Sequence, residues 1–343
     1  MIRVALVGLG EVGAHHLRAL RGSPRAELVA VCDLDSRLVS AAEGSGVRGF
    51  ADFGEMLESA GPDAVDLCVP HSLHAPLAVR SLEAGAHLIV EKPLAPTLGE
   101  CDEIIAVARR RGRQVGVSHN QLFFEPHAAL GDLIAGGGLG RVRTLRARLG
   151  IGGKLGGWRA DPSLAGGGLL MDAGVHRVYL LRELGGPVRA VSAVFDRPGA
   201  EDTLVVSLEF ASGALGVIDA SYHGPPGVFD DRVEVFGERG MAEVLGCEAF
   251  FEGYLEEGPQ LRVRDGAAWR DHPARDSWDA SVVRSVQSIL ASLERSETPR
   301  VDAVAARETV ALIEAAYRSA ETGRRVEVGP PDPRPPSGAD AGG

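Results

Sequence analysis

The sequence predicts two units. Residues 1–119 read as an α/β unit with a parallel sheet, and 120–328 as an α+β unit with a predominantly antiparallel, open sheet. Three observations lead there. Short apolar runs at 2–7, 27–32, 64–69, 87–90 and 114–117 alternate with helix-length amphipathic segments such as 75–83 and 98–110, the pattern of βαβ units. A glycine-rich turn joins the first run to the first helical segment. After Asn120, strand-like runs follow one another with short turns, as antiparallel sheets require. A chain of 343 residues also suits two cores better than one.

Taken in order, the first run is followed at once by Gly8-Leu9-Gly10-Glu11-Val12-Gly13, and a helical pattern continues to Leu20. The second run ends at Asp33, twenty positions beyond Gly13. Strand, G-x-G-x-x-G, helix and a distal acid together form a dinucleotide-binding fingerprint of Rossmann type. Gly8 permits the tight turn, and Gly10 lets backbone N–H groups approach a pyrophosphate at the helix N-terminus. Gly13 allows close helix–strand packing. A carboxylate at Asp33 accepts hydrogen bonds from the ribose hydroxyls and repels a 2′-phosphate, which favours NAD over NADP. Arg37, four residues on, softens that preference if it pairs with a phosphate. The expected cofactor contacts are Gly8, Gly10, Glu11, Val12 and Gly13, then Asp33 and Arg37, then Pro70, His71 and His74, and finally Glu91 and Lys92. His15 and His16, on the first helix, read as solvent or packing residues. The run 87–90 stops at Glu91-Lys92-Pro93, an acid and an amine at the carboxyl edge of the sheet, where ligands bind in open α/β folds.

In the second unit a helix at 126–134 ends in three glycines, 142–149 reads as a strand, and 151–163 as a polar, glycine-rich loop. Gly166-Gly167-Gly168 opens a helix to Leu184 and lets the chain pass close to a ligand. Strands follow at 188–195, 203–210, 214–222 and 232–236, with Ala211-Ser212-Gly213 as a hairpin turn. Such a sheet leaves one face for a partner subunit. Segments 281–295 and 303–320 are amphipathic helices, and 325–328 a last strand. The Pro-, Gly- and Asp-rich stretch 329–343 is expected to be disordered.

Net charge is −11, with 36 basic and 47 acidic residues spread along the chain and no basic stripe, so neither nucleic acid nor an anionic membrane is an expected partner. Cys32, Cys68, Cys101 and Cys247 stand apart, at no metal or redox spacing, and read as buried free thiols of a reducing compartment. With no signal-peptide pattern at the start and no apolar run near the roughly 20 residues of a membrane helix, a cytoplasmic protein is expected.

The second candidate site is Gly166-Gly167-Gly168-Leu169-Leu170-Met171-Asp172-Ala173-Gly174-Val175-His176. At i and i+4 of a helix, Asp172 and His176 project from one face, and a carboxylate beside an imidazole orients it for proton transfer. No third ligand at zinc spacing accompanies them, so no metal centre is expected. Taking a proton from a hydroxyl needs a base beside it and a cation for the developing alkoxide, roles that suit His176 and Lys92. Candidate substrate contacts are Asn120, Lys154, Trp158, Arg159 and Asp161 beside Lys92, Asp172 and His176, with Trp158-Arg159 offering a sugar an aromatic face and polar groups.

Glu91-Lys92-Pro93 after a Rossmann half, followed by Gly-Gly-Gly-x-x-x-Asp-x-Gly-x-His, resembles the glucose–fructose oxidoreductase / inositol dehydrogenase / MocA-like (Gfo/Idh/MocA) family. Val235-Phe236-Gly237-Glu238-Arg239-Gly240 resembles its late strand and turn, and Ser319-Ala320-Glu321-Thr322-Gly323 its closing helix, so the similarity runs to about Val328. The resemblance implies NAD-dependent hydride transfer at a secondary alcohol or ketone of a sugar, sugar derivative or cyclitol, and a homodimer or homotetramer formed through the C-terminal sheet. It implies His176 as general acid/base, Lys92 polarising the same oxygen, Asp172 orienting substrate and His176, Glu91 anchoring Lys92, and a cis Lys92–Pro93 bond. Tyr179 stands where the family often has an acid, which bears on substrate contacts. Two other readings stay open at this point: an enzyme that cleaves glycosides by transient oxidation on NAD, and a non-catalytic NAD-binding regulator.

Overall fold

A computed structural model describes residues 1–44, 46–154, 156–246 and 258–329; the predicted tail from 330 onward and Cys247 lie outside the described residues. In the first half, strands β1 (Ile2–Val7), β2 (Ala26–Cys32), β3 (Arg48–Phe50), β4 (Ala64–Leu67), β5 (His87–Glu91) and β6 (Val115–Ser118) form a sheet in the order β3-β2-β1-β4-β5-β6. Every neighbouring pair is parallel. The order reverses between β1 and β4, and ligands of such sheets bind at that switch, outside the carboxyl ends of the strands. Helices α1 (Glu11–Arg21), α2 (Ser36–Ala42), α3 (Phe53–Ala60), α4 (His74–Glu83) and α5 (Leu98–Arg111) make the crossovers. The inner strands are apolar on both faces because both faces are covered: β4 and β6 are buried at every position. Asp66, in the middle of β4, departs from that apolar pattern, as do Glu91 and Ser118 at the ends of β5 and β6.

The second half follows α6 (Glu125–Ala135). Its strands are β7 (Val142–Ile151), β8 (Val188–Phe195), β9 (Thr203–Phe210), β10 (Leu215–Ser221), β11 (Phe229–Gly237), β12 (Met241–Leu245), β13 (Leu261–Arg264), β14 (Trp269–His272) and β15 (Val326–Glu327). They form one sheet in the order β14-β13-β12-β11-β7-β10-β9-β8-β15. The β9–β10 hairpin turns at Ala211-Ser212-Gly213, as predicted, with Phe210 N–H donating to the Ala214 carbonyl. The sheet is predominantly antiparallel, as expected; among the described strands one pair is parallel, β7 with β10 at the centre, Leu215 facing Thr144. The connection between these two strands spans two other strands and two helices, so nothing forces the hairpin geometry that short turns impose on β9 and β10.

The predicted helix from Gly166 to Leu184 is continuous from residue 169 to Gly185, with a π-helical turn inside it. After a short α7 (Pro162–Ala165), Leu170–Gly174 forms a π-helical turn, and only then does α8 (Val175–Gly185) begin. The glycine run serves the protein rather than a ligand. A side chain at Gly167 would meet the Tyr317 hydroxyl at 2.5 Å, and one at Gly168 the Glu201 backbone nitrogen at 2.4 Å.

Helices α9 (Trp278–Glu294) and α10 (Ala303–Thr322) tie the halves together. Val286, Ile289, Leu290 and Leu293 of α9 share a core with Val4, Leu6 and Ile89 of the first sheet, while α10 packs on α5 and β8. The opposite face of the second sheet stays open, with Val194, Val205, Leu215 and Phe236 exposed.

Arg177 of α8 is 1% exposed and pairs with Asp231 of β11 at 2.6 Å, while donating to the Gln121 side-chain oxygen at 2.5 Å. Removing one partner of a buried ion pair costs about 3–5 kcal/mol, because the other charge stays in low dielectric. The Arg177→Met variant is therefore expected to lose that much stability in urea unfolding, whereas a change under 1 kcal/mol counts against the pair's structural role.

Candidate active site

The cleft lies at the carboxyl edge of the first sheet. Gly8 leaves β1 with φ +87°, a conformation L side chains rarely adopt, and a Cβ there would sit 2.1 Å from the Cys68 carbonyl oxygen. A Cβ on Gly13 would sit 2.0 Å from the Gly8 carbonyl oxygen, while nothing lies within 4 Å of one on Gly10, whose backbone faces open space. The Asp33 carboxylate accepts the Leu9 N–H at 2.6 Å and the Asp35 N–H at 2.8 Å, which holds the acid beside the glycine turn. A groove lined by Gly10, Glu11, Val12, His71, Trp158 and Arg159 runs from this turn to Glu91 and Lys92. These residues fit a dinucleotide: an open turn at a helix N-terminus and an acid at the ribose end. Arg37 does not face the groove; Asp35 holds it at 2.7 Å and its side chain is 88% exposed. The adjacent carboxylate satisfies the guanidinium locally, so it is not aimed at a 2′-phosphate.

At the end of β5 the Lys92–Pro93 peptide is cis. The Lys92 ammonium donates to the Asp172 backbone oxygen at 2.8 Å and lies 3.8 Å from the Asp172 carboxylate. Burial lowers its pKa, against the opposing pull of Asp172 and Glu91. Glu91 accepts the Lys92 backbone N–H at 3.2 Å through one oxygen and meets His16 Nε2 at 3.0 Å through the other. It thus touches the main chain of Lys92 rather than pairing with its ammonium.

His176 does not pair with Asp172 as the i,i+4 spacing suggested. The π-helical turn ends between them, so the two residues are not on one uninterrupted α-helical face. Asp172 instead meets Arg159 at 3.4 Å and accepts the Tyr222 hydroxyl at 3.3 Å, besides Lys92. His176 Nδ1 is held by the Tyr179 hydroxyl at 2.7 Å, and that hydroxyl oxygen accepts the Gln121 N–H at 3.1 Å. Tyr179 is itself stacked on His119, with ring centroids 4.0 Å apart. Burial, with the Lys92 and Arg177 cations nearby, holds the His176 imidazole well below the ordinary histidine range. Lys92, Asp172 and His176 line one pocket with Arg159, Gln121 and Phe229.

Other expected contacts have partners within the protein, His71 and Trp158 while they also line the groove. Asn120 is buried and donates to Ser281 Oγ at 2.9 Å, because the turn after β6 carries its amide into α9. Lys154 pairs with Asp202 at 3.0 Å, and Asp161 caps α7 by accepting the Ser163 N–H at 2.9 Å. Pro70 opens the turn that leads into α4, after which both histidines bind the protein. His71 Nδ1 meets the Ala165 carbonyl at 2.8 Å, and His74 the Pro93 and Val69 carbonyls at 2.7 and 2.9 Å. Burial keeps both histidines below their ordinary pKa. Trp158 packs edge-on against His71 with Arg159 over its own ring, so the loop predicted to offer a sugar both groups reaches across to the first half. His16, Gln121, Tyr222 and Trp278 carried no signal in the motifs, although a carboxylate at Asp66 within an apolar strand announces a buried partner such as His16.

The fold and the cleft define an NAD-binding oxidoreductase. Residues 2–119 match the profile of the oxidoreductase family with an NAD-binding Rossmann fold, and 127–243 that of the GFO/IDH/MocA C-terminal domain. D-apiose dehydrogenase of Paraburkholderia graminis is 29% identical, over 94% of this chain and 89% of its own. The oxidoreductase YrbE of Bacillus subtilis is 30% identical, over 70% of this chain and 73% of its own. Among solved structures, GenD2 from gentamicin A biosynthesis, in complex with NAD, superposes with a TM-score of 0.83 at 29% identity, covering 96% of this chain and 97% of that one. The chain belongs to the Gfo/Idh/MocA family of oxidoreductases. None of its described helices is long and apolar enough to cross a membrane.

If Asp33 receives the ribose hydroxyls, Asp33→Ala weakens NAD roughly tenfold, the worth of about 1.4 kcal/mol, and NADP less. Calorimetric titration with both cofactors checks this, and equal shifts would remove the assignment.

Proposed function

We propose that the protein is an NAD-dependent dehydrogenase or reductase acting on a secondary alcohol or ketone of a sugar, sugar derivative or cyclitol. The observation that carries the reading is the joining, in one pocket, of an ammonium anchored on the Asp172 carbonyl and an imidazole held by Tyr179. Bound NAD, which the Gly8–Gly13 turn and Asp33 would hold, would supply the acceptor or donor of the hydride. His176, with Nδ1 engaged by Tyr179, has Nε2 left to take the hydroxyl proton during oxidation or to give it back during reduction. Lys92 donates a hydrogen bond to the same oxygen and stabilises the negative charge that develops there. Asp172 holds Lys92 and Arg159 in place through its carboxylate and backbone oxygen. Leu149, Ile151 and Phe229 provide apolar walls that limit water around the reacting carbon.

For the assembly we propose a homodimer or homotetramer formed through the open face of the second sheet. Val194 pairs with Val205 on neighbouring strands there, and Leu215 and Phe236 flank Thr144. Apolar side chains exposed in such rows favour a covering surface. By light scattering the wild type is expected to be oligomeric, and the Val194→Asp/Val205→Asp double variant to shift toward the monomer; an unchanged mass for that variant would rule this face out.

Turnover of sugars, cyclitols and their keto forms, followed by nicotinamide absorbance, tests the chemistry. Lys92→Ala and His176→Ala are each expected to lower kcat on the order of a hundredfold while NAD affinity changes little. Because His176 is depressed below its ordinary value of 6.5, its basic form persists in more acidic solution. The acid limb of kcat/KM for oxidation therefore falls below pH 6.5. Wild-type rates in both variants would refute the mechanism.

A further inference from the structure

Behind the pocket, under the glycine-rich turn, three ionisable side chains are packed together that hydride transfer as described does not use. His16 of α1 and Asp66 of β4 are both fully buried, and Glu91 at the end of β5 is 9% exposed. His16 Nδ1 lies 3.0 and 2.9 Å from the two Asp66 oxygens, and Nε2 lies 3.0 Å from a Glu91 oxygen. A neutral imidazole has one N–H, and an ionised carboxylate only accepts, so two carboxylates on one ring require protons on both ring nitrogens or on one of the acids. The other Glu91 oxygen accepts the Lys92 N–H, and Glu91 lines the pocket beside Lys92.

We infer that His16 is a positioning residue: held as an imidazolium between Asp66 and Glu91, it keeps the Glu91 carboxylate ionised and oriented, and through Glu91 it sets the position of Lys92. The charged and titratable groups around this set are Asp66 and Cys68 on the β4 side, Glu91 and Lys92 on the β5 side, and His119 beyond Glu91. Burial opposes a charge on His16, but Asp66 beside it raises the imidazole well above the ordinary histidine range. Burial likewise opposes ionisation of Glu91, which His16, Lys92 and Ser118 outweigh. Helix α1 also carries Gly13, so the imidazole joins the helix that opens at the dinucleotide turn to the strand that ends at Lys92.

The kinetic consequence rests on the dehydrogenase reading; the protonation state does not. In the full-length protein labelled with 15N-histidine, long-range proton–nitrogen correlations at pH 8 are expected to contain one imidazole protonated at both nitrogens, absent from His16→Gln. A neutral His16 at that pH overturns the inference. With the best substrate of the panel, His16→Gln is expected to add the ionisation of Glu91 to the acid limb of kcat/KM that the wild type owes to His176, moving that limb upward by about one pH unit, because Glu91 loses the cation that keeps it ionised. Its kcat at pH 6 falls roughly tenfold, with NAD affinity within about twofold of wild type, and the same substitution adds little in a Glu91→Gln background. An unshifted profile, or full additivity of the two substitutions, overturns the link to Lys92. Should His16→Gln fold poorly, Asp66→Asn is used instead, and a His16 still fully charged at pH 8 in that variant is the overturning result. The magnetic resonance arm needs no substrate, so an absence of turnover counts against the dehydrogenase reading alone.

Discussion

The hydrogen bond from the Lys92 ammonium to the Asp172 carbonyl is the constraint around which the site is arranged. It joins the carboxyl end of β5 to a backbone oxygen eighty residues later, in the π-helical turn of the second half. That carbonyl is within reach because the wide turn departs from regular α-helical spacing just before α8. The same turn separates Asp172 from His176. Asp172 goes to Lys92, Arg159 and Tyr222, and His176 goes to Tyr179.

Electrostatically the pocket is a row of buried charges of alternating sign. Asp172 faces Lys92 and Arg159 on one side, and Glu91 with His16 lies on the other. Burial pushes the Lys92 amine and the His176 imidazole toward their neutral forms, and the carboxylates near Lys92 counter this for the amine. Among the described residues no carboxylate is bonded to the imidazole; the Tyr179 hydroxyl fixes its ring at Nδ1. The imidazole and the amine are thus distinguished by their surroundings, the amine having carboxylates beside it that oppose the effect of burial.

Much of this was legible in the chain. The glycine turn, the acid after β2 and the alternation of strands and helices led to the parallel sheet, and Glu91-Lys92-Pro93 fell at the strand end as read. Lys92, Asp172 and His176 do line one pocket. The partners were not legible. An i,i+4 spacing implies a shared helical face only where the helix is regular, and nothing in Leu-Met-Asp-Ala-Gly marked the π-helical turn. Asn120 and Lys154 had the right chemistry for a sugar, yet Ser281 and Asp202, distant in sequence, claim them. Tyr179 stood out as a departure from the family pattern, but its bond to His176 required the fold.

By itself, then, the sequence determined what is local: strand and helix periods, the turn that only glycine can make at Gly8, and the residue types able to move a proton or hold an alkoxide. The tertiary structure decided which of those groups face one another. Pairings such as His16 with Asp66 and Glu91, Arg177 with Asp231 and Tyr179 with His176 follow from burial, which forces each polar group to take the nearest partner left inside. The nearest partner depends on how helices and sheets pack, and that packing has no signature at any single position of the chain.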